Sequence, residues 1–212
     1  VERRNCSGGI TAHHADDQVE TVLINFFRGT GSRGLSGMDA LSENENGLRV
    51  FRPFLPIRRA QLEAFIAEKG INYRQDESNF EDFALRNRVR NRLLPFLGEI
   101  FERDVRRAVL RAAELAALDE KWIEEALGDM PHYREGLSVE ALRKMNEAER
   151  NRTLLRWLRN HSVPNCGFDE IVGISEILVR DENPSKGNLP GGFHVRRRAG
   201  VLFLEKDGQV IS

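Results

Sequence analysis

Sulfur is scarce in this chain, with two cysteines, Cys6 and Cys166, and three methionines among 212 residues. The two thiols lie far apart and belong to no C-x-x-C pair, so they read as free thiols rather than zinc or iron–sulfur ligands. Long hydrophobic runs are missing too. None approaches the roughly 20 residues that span a bilayer, and the opening VERRNCSGGI has no apolar core like that of a secretory signal. No membrane association is expected, and the expected location is cytoplasmic. Net charge is close to absent at −1, so no global basic signature marks a nucleic-acid binder. Lysine is the rare cation: arginines outnumber lysines about fivefold, and arginine is the residue that forks onto phosphates and stacks on bases.

What is present is ordinary for a soluble globular protein, with 40% hydrophobic and 31% charged residues and length for one large or two small domains. Residues 10 to 12 read as the tail of a short strand. Residues 16 to 28 follow as an amphipathic helix with Asp16 as N-cap and Val19, Val22, Leu23, Phe26 and Phe27 on one face. RGTGSRGLSGM reads as a glycine-rich loop and SENENG as a surface turn. Residues 50 to 55 read as a strand interrupted by Pro53. Residues 58 to 69 form a second amphipathic helix stopped by Gly70. In ALRNRVRNRLLPFL, Leu85, Val89 and Leu93 stack at i, i+4, i+8, and residues 102 to 127 give the longest helical pattern. Asn146 with Glu149 opens a further helix, residues 168 to 180 another, and FHVRRRAGVLFLEKDG reads as a hairpin turning at Ala199–Gly200. Trp122 and Trp157 both sit in helical patterns and are expected in the core.

The chemistry concentrates in AHHADDQVET at residues 12 to 21. Asp17 and Glu20, three apart, project from one face of the first helical turn, just after His13 and His14. Acids beside histidines at a strand's end can hold a cationic substrate, bind Mg²⁺ or move a proton. Acids also simply favour helix N-termini. Gly29, Gly31 and Gly34 satisfy G-x-G-x-x-G but follow a helix rather than a strand, which argues against a dinucleotide site.

H-H-x-D-D-x-x-E-T resembles the second signature of the PP-loop ATP pyrophosphatases. With RGTGSRGLSGM, RPFLPIRRAQL, QDESN and RNRVRNRLLP following in order, residues 10 to about 97 resemble the tRNA(Ile)-lysidine synthase family. The remainder, including LPGGFHVRR, resembles that family more weakly. The resemblance implies an α/β fold. A partial PP-loop parallel sheet over residues 1–97 would be followed by a helical linker over 98–130. A mainly helical small domain with a terminal β-hairpin would occupy 131–212. It implies ATP with Mg²⁺, free L-lysine and the CAU-anticodon isoleucine tRNA as reactants, with lysine ligated to C2 of the wobble cytidine through an adenylated intermediate; a homodimer is left open.

Residue by residue, the resemblance assigns catalysis to Asp17, Glu20 and His13, with Asp17 the one candidate Mg²⁺ ligand. It assigns substrate contact to His14, Arg86, Asn87, Arg90 and Arg28. Arginines 150, 152, 156 and 159 and Arg196, Arg197 and Arg198 become candidate tRNA contacts. The family's phosphate loop, S-G-G-x-D-S, has no counterpart. Ser7-Gly8-Gly9 runs into Ile10-Thr11-Ala12, without the Asp-Ser and against the histidines. The resemblance is therefore to an N-terminally truncated member, expected on its own neither to hydrolyse ATP nor to form lysidine. The alternatives are another PP-loop tRNA modifier of the 2-thiocytidine synthetase type, disfavoured by the two lone cysteines, and a non-catalytic tRNA-binding fragment.

Overall fold

The computed structural model describes residues 6, 8–43, 47–72, 85–128, 136–179 and 185–211. The chain divides into two compact units, Val1–Ile123 and Glu124–Ser212. No helix among the described residues is long and apolar enough to cross a membrane. The QDESN segment, with Asp76, Ser78 and Asn79, lies outside the described residues.

The first unit is an α/β layer. Strand β1 (Gly8–Ile10) leads through helix α1 (Ala15–Phe27) and the short helix α2 (Ser32–Leu35) to β2 (Leu41–Glu43) and β3 (Arg49–Phe51). The sheet order is β1-β3-β2, with β1 parallel to β3 and β2 antiparallel to it. A helix thus joins the two parallel strands, as a parallel pair requires. The SENENG segment is not wholly a turn. Its first residues, Ser42 and Glu43, pair with Val50 and Arg49, where the Arg49 Nε–Glu43 Oε2 contact of 3.2 Å joins the strands. Strand β3 stops at Phe51, two residues before Pro53, rather than running on to residue 55. The expected glycine loop contains α2.

The helix cap also differs from expectation. His14, not Asp16, caps α1. Its Nδ1 accepts from the Asp17 amide at 3.3 Å, and the Asp17 carboxylate accepts from the His14 amide at 3.0 Å. An imidazole in its neutral form carries an acceptor nitrogen, so histidine can play the part usually given to Ser or Asp. Val19 and Val22 are buried as the periodicity requires. Phe26 and Phe27 are exposed in the last turn, packed edge-to-face on each other at 5.3 Å. Helix α3 (Arg59–Glu68) buries no residue at all, so its apolar positions mark no core face.

Helix α4 (Leu85–Arg88) passes into a π-helical turn, Val89–Leu93, and then helix α5 (Leu94–Phe101). Pro95 has no N–H to give to the carbonyl of Asn91, and the ladder widens just ahead of it, with the Leu94 amide donating to the Val89 carbonyl. The inserted residue shifts the buried stripe. Leu94 rather than Leu93 is fully buried beside Val89, and Leu85 is exposed. These residues pack with Val19 and Val105 into a small core. Glu102 in left-handed conformation (φ 51°) ends α5, so the long helix α6 (Arg106–Leu127) begins later than expected, with the Asp104 carboxylate accepting from the Arg106 amide at 3.1 Å. Trp122 on α6 is exposed, not core.

Among the described residues, the second unit packs three α-helices on an antiparallel sheet. After β4 (Leu137–Ser138) come α7 (Val139–Lys144), α8 (Glu147–Asn160) and α9 (Phe168–Val179). They are followed by β5 (Ser185–Asn188), β6 (Phe193–Arg198), β7 (Val201–Lys206) and β8 (Gln209–Ile211). The β6–β7 hairpin is where the sequence places it, turning on Ala199 (φ 50°) and Gly200 (φ 78°). Two positive φ values are what a tight two-residue turn needs. Strands β5, β4 and β8 enlarge it to a five-stranded sheet. Asn146 caps α8, its Oδ1 accepting from the Glu149 amide at 2.9 Å. Trp157, Leu154 and Leu158 on α8 interdigitate with Ile174 and Leu178 on α9 and Val195, Leu202 and Leu204 on the sheet.

Candidate active site

The site is built where β1 ends. Thr11, His13 and His14 occupy the join to α1, and the Ala15 amide donates to the Ile57 carbonyl at 2.9 Å, holding the helix start against the segment after β3. The Thr11 hydroxyl lies 2.8 Å from His13 Nδ1. From the first turn of α1 the acids diverge. Asp16 accepts from the Arg59 amide at 2.9 Å and lies 3.3 Å from Arg106 Nε. Asp17 and Glu20 turn instead toward the α4–π segment. There Arg90 donates from Nη2 to Asp17 Oδ1 at 3.0 Å, from Nε to Glu20 Oε1 at 2.5 Å, and from Nη2 to Glu20 Oε2 at 2.9 Å. Arg86, one turn earlier, donates to the Thr21 hydroxyl at 2.9 Å and stands 3.6 Å from Glu20 Oε2. The π turn lies directly on this cluster and carries Arg90 within it.

Burial grades the members. The Glu20 side chain is 1% exposed, Asp17 12%, Arg90 21% and Arg86 40%. Burial pushes the Glu20 carboxyl above its ordinary range, and the hydrogen bond and charge of Arg90 offset only part of that. Arg90 is held still more firmly in its charged form by its hydrogen bond to Glu20. Burial lowers the His13 imidazole, and Arg52 and Arg86 push the same way against the attraction of Asp17, so it is neutral at physiological pH. A neutral imidazole beside a carboxylate and two exposed-edged guanidiniums can take up a proton while the guanidiniums face an anion.

Two family models match the chain: a PP-loop domain over residues 1–97 and a TilS substrate binding domain over residues 137–203. Among curated proteins, the tRNA(Ile)-lysidine synthase of Shigella flexneri is 34% identical over 202 residues, covering 93% of this chain and 46% of the relative. That of Geobacter sulfurreducens is 37% identical over 197 residues, covering 88% and 41%. That of Salinispora tropica is 37% identical over 200 residues, covering 91% and 60%. The chain belongs to the tRNA(Ile)-lysidine synthase family. It spans about half the length of the curated relatives it matches.

Within this family frame, the residues singled out from the sequence separate into those brought together and those kept apart. His13, His14, Asp17, Glu20, Arg86 and Arg90 meet around the start of α1. Asn87 is half-buried on α4 beside Arg86. Arg28 is the C-cap of α1, some 16 Å along the helix axis from Asp17 at 1.5 Å per residue. It is exposed, and its guanidinium has no partner among the described residues. In the second unit, Arg197 donates to the Ile177 carbonyl at 3.4 Å and Arg143 to the Leu178 carbonyl at 2.8 Å, two cations on the end of α9. Arg196 is paired with Glu205 at 2.6 Å, and Arg156 donates to the Gly128 carbonyl at 2.7 Å.

Sequence reasoning missed Gln18. Its Nε2 donates to the carbonyls of Ser36 and Met38 at 3.0 and 3.1 Å, and its Oε1 accepts from the Met38 amide at 2.8 Å. Gly37 (φ 75°) leaves room for that amide; a Cβ there would lie 2.6 Å from it. The signal was a polar residue at a buried helical position ahead of S-G-M, which periodicity alone treats as surface. As for Mg²⁺, no group of three His, Cys, Asp or Glu side chains among the described residues is gathered to hold an ion. Asp17, the candidate ligand, already faces a guanidinium and an imidazole. This donor set does not fit a resident divalent cation.

Proposed function

We propose that the chain supplies the lysine- and tRNA-holding residues for the reaction its relatives are named for. In it, free L-lysine is joined to C2 of the wobble cytidine of the CAU-anticodon isoleucine tRNA at the expense of ATP. In this reading the C2 oxygen attacks the α-phosphorus of ATP and releases pyrophosphate. The lysine ε-amine then attacks C2, and the bond from C2 to the AMP oxygen breaks. Lysine arrives as an ammonium ion and must shed a proton before it can attack. Neutral His13 is the base proposed for that proton, with its Nδ1 fixed by Thr11. Asp17, the less buried of the two acids, holds the ammonium by exchanging its Arg90 hydrogen bond for one from the ammonium, while His14 fixes the carboxylate through the cap. Glu20 remains buried under Arg90 and sets that guanidinium's position. Arg86 and Arg90 face the phosphate of the adenylate and the RNA backbone, with Asn87 beside them and Arg28 at the far end of α1.

The observation that carries this reading is the cluster itself. Two acids and two arginines some 70 residues apart in sequence converge at the carboxyl end of a parallel strand, where ligands of open α/β sheets bind. The test is a gel shift of the chain with isoleucine and methionine CAU tRNAs across a salt series, with and without lysine. Preferential, lysine-strengthened binding of the isoleucine tRNA is expected. Equal binding of both tRNAs, indifferent to lysine, would leave a non-specific RNA-holding module as the better reading.

A further inference from the structure

Outside that cluster, a cleft of about 490 Å³ opens beside the start of α1, a volume in the range of small-ligand sites. Arg58, Arg107, Arg111 and Glu114 line it, over a floor that includes Ala15 and Pro56. The arginines differ in what they already hold. Arg58 is tied to Asp104 at 2.6 Å. Arg107 and Arg111 are exposed, and neither has a hydrogen-bond or ion-pair partner among the described residues. They stand four residues apart on α6, so their side chains leave the same helix face one turn apart. Two like charges so placed repel, and neither is ion-paired with an acid among the described residues. Asp104 serves Arg58 and Arg106, and Asp16 serves Arg59 and Arg106.

We propose that Arg107 and Arg111, with Arg58 behind them, bind consecutive phosphates of an RNA backbone. The inference rests on the reading of the chain as a tRNA-binding protein and adds a contact that reading does not contain. Three features favour a phosphodiester over a free phosphate or nucleotide. The donors are side chains strung along a helix axis rather than converging on one point. Arg107 and Arg111 are exposed where they line the cleft. Glu114 in its lining also penalises a multiply charged anion more than a singly charged diester. Such contacts position the RNA and carry no sequence information.

The test uses the full chain and a fluorescein-labelled CAU anticodon stem-loop, with anisotropy followed from 50 to 300 mM KCl. Replacing both residues (Arg107→Gln with Arg111→Gln) is expected to lower the slope of log affinity against log salt by about 1.4 to 1.8. Binding at 100 mM salt is expected to weaken roughly tenfold or more for any RNA sequence. Arg111→Gln alone should remove about half of the slope change, and the Lys pair (Arg107→Lys with Arg111→Lys) should restore most of it. Circular dichroism checks that each variant folds, and the single variant carries the test if the double one does not. RNA binding unchanged in the Gln variants overturns this site alone, whereas a parent chain that binds no RNA overturns the functional reading with it. If millimolar ATP or inorganic phosphate displaces RNA from the parent but not from the Gln pair, the site belongs to a free phosphate and the RNA assignment fails.

Discussion

Replacing Arg90 with methionine should expose how much of the first unit depends on one guanidinium. Methionine keeps the aliphatic stem and removes three hydrogen bonds, two to Glu20 and one to Asp17. Glu20 is left as a buried carboxylate with only Arg86 nearby, at 3.6 Å. Removing one partner of a buried pair costs about 3 to 5 kcal/mol. Arg90's partial exposure and the remaining Arg86 place this case at the lower end, about 3 kcal/mol at pH 7. The loss should also depend on pH, with a definite sign. Burial already raises the Glu20 pKa above its unfolded value, and without Arg90 it rises further. The folded variant then binds a proton the unfolded chain does not, so its stability grows as pH falls through that raised pKa. At about 1.4 kcal/mol per unit, acidification from pH 7 to 5.5 should recover up to about 2 kcal/mol. Hydrogen exchange of the α1 amides, corrected for the intrinsic pH dependence, reads the local free energy. A loss below about 1 kcal/mol, or one that does not change with pH, would refute the claim that Arg90 neutralises the buried acids.

Other expectations follow from the same geometry. Gly37→Ala places a Cβ against the Gln18 amide at a positive φ, and should cost about 1 to 3 kcal/mol, seen as faster exchange of the Met38 amide. Ala199→Asn supplies a residue that tolerates the left-handed turn and should stabilise the second unit by about 0.5 to 1 kcal/mol in urea unfolding. His13 has a lowered pKa, so the unfolded chain binds its proton first. Stability of the first unit should therefore fall as pH drops below 6.5, and stop falling once the folded pKa is passed. His13→Gln should flatten that part of the pH profile.

Much of this architecture was legible beforehand because local rules and the fold agree. The helix after β1, the Asn146 cap, the helix from Phe168 and the Ala199–Gly200 turn each rest on a short-range signal that nothing tertiary overrides. The misreadings have particular causes. The stripe through Leu85, Val89 and Leu93 assumed 3.6 residues per turn, whereas Pro95 widens the turn before it and gives the buried place to Leu94. Trp122 and the apolar residues of α3 follow a helical period, but a period states which residues share a face, not whether that face is covered. The site was half legible. Asp17 and Glu20 were marked as one face, and Arg86 and Arg90 as substrate contacts on a distant helix, but nothing in the sequence said that the two groups oppose each other. Their closure depends on packing across some 70 residues, which also decides that Glu20 is buried beneath a guanidinium while Asp17 keeps an edge to solvent.

That difference between the two acids is the centre of the account, and calorimetric titration of the chain with L-lysine and with Nε-acetyl-lysine tests it most directly. The parent should bind lysine and not the uncharged acetyl form. Asp17→Asn, which keeps the shape and removes the charge, should weaken lysine binding about tenfold or more, in line with the loss of one charged hydrogen bond. Lysine binding that Asp17→Asn leaves unchanged, or equal binding of the acetylated ligand, would contradict the placement of the cationic substrate on Asp17.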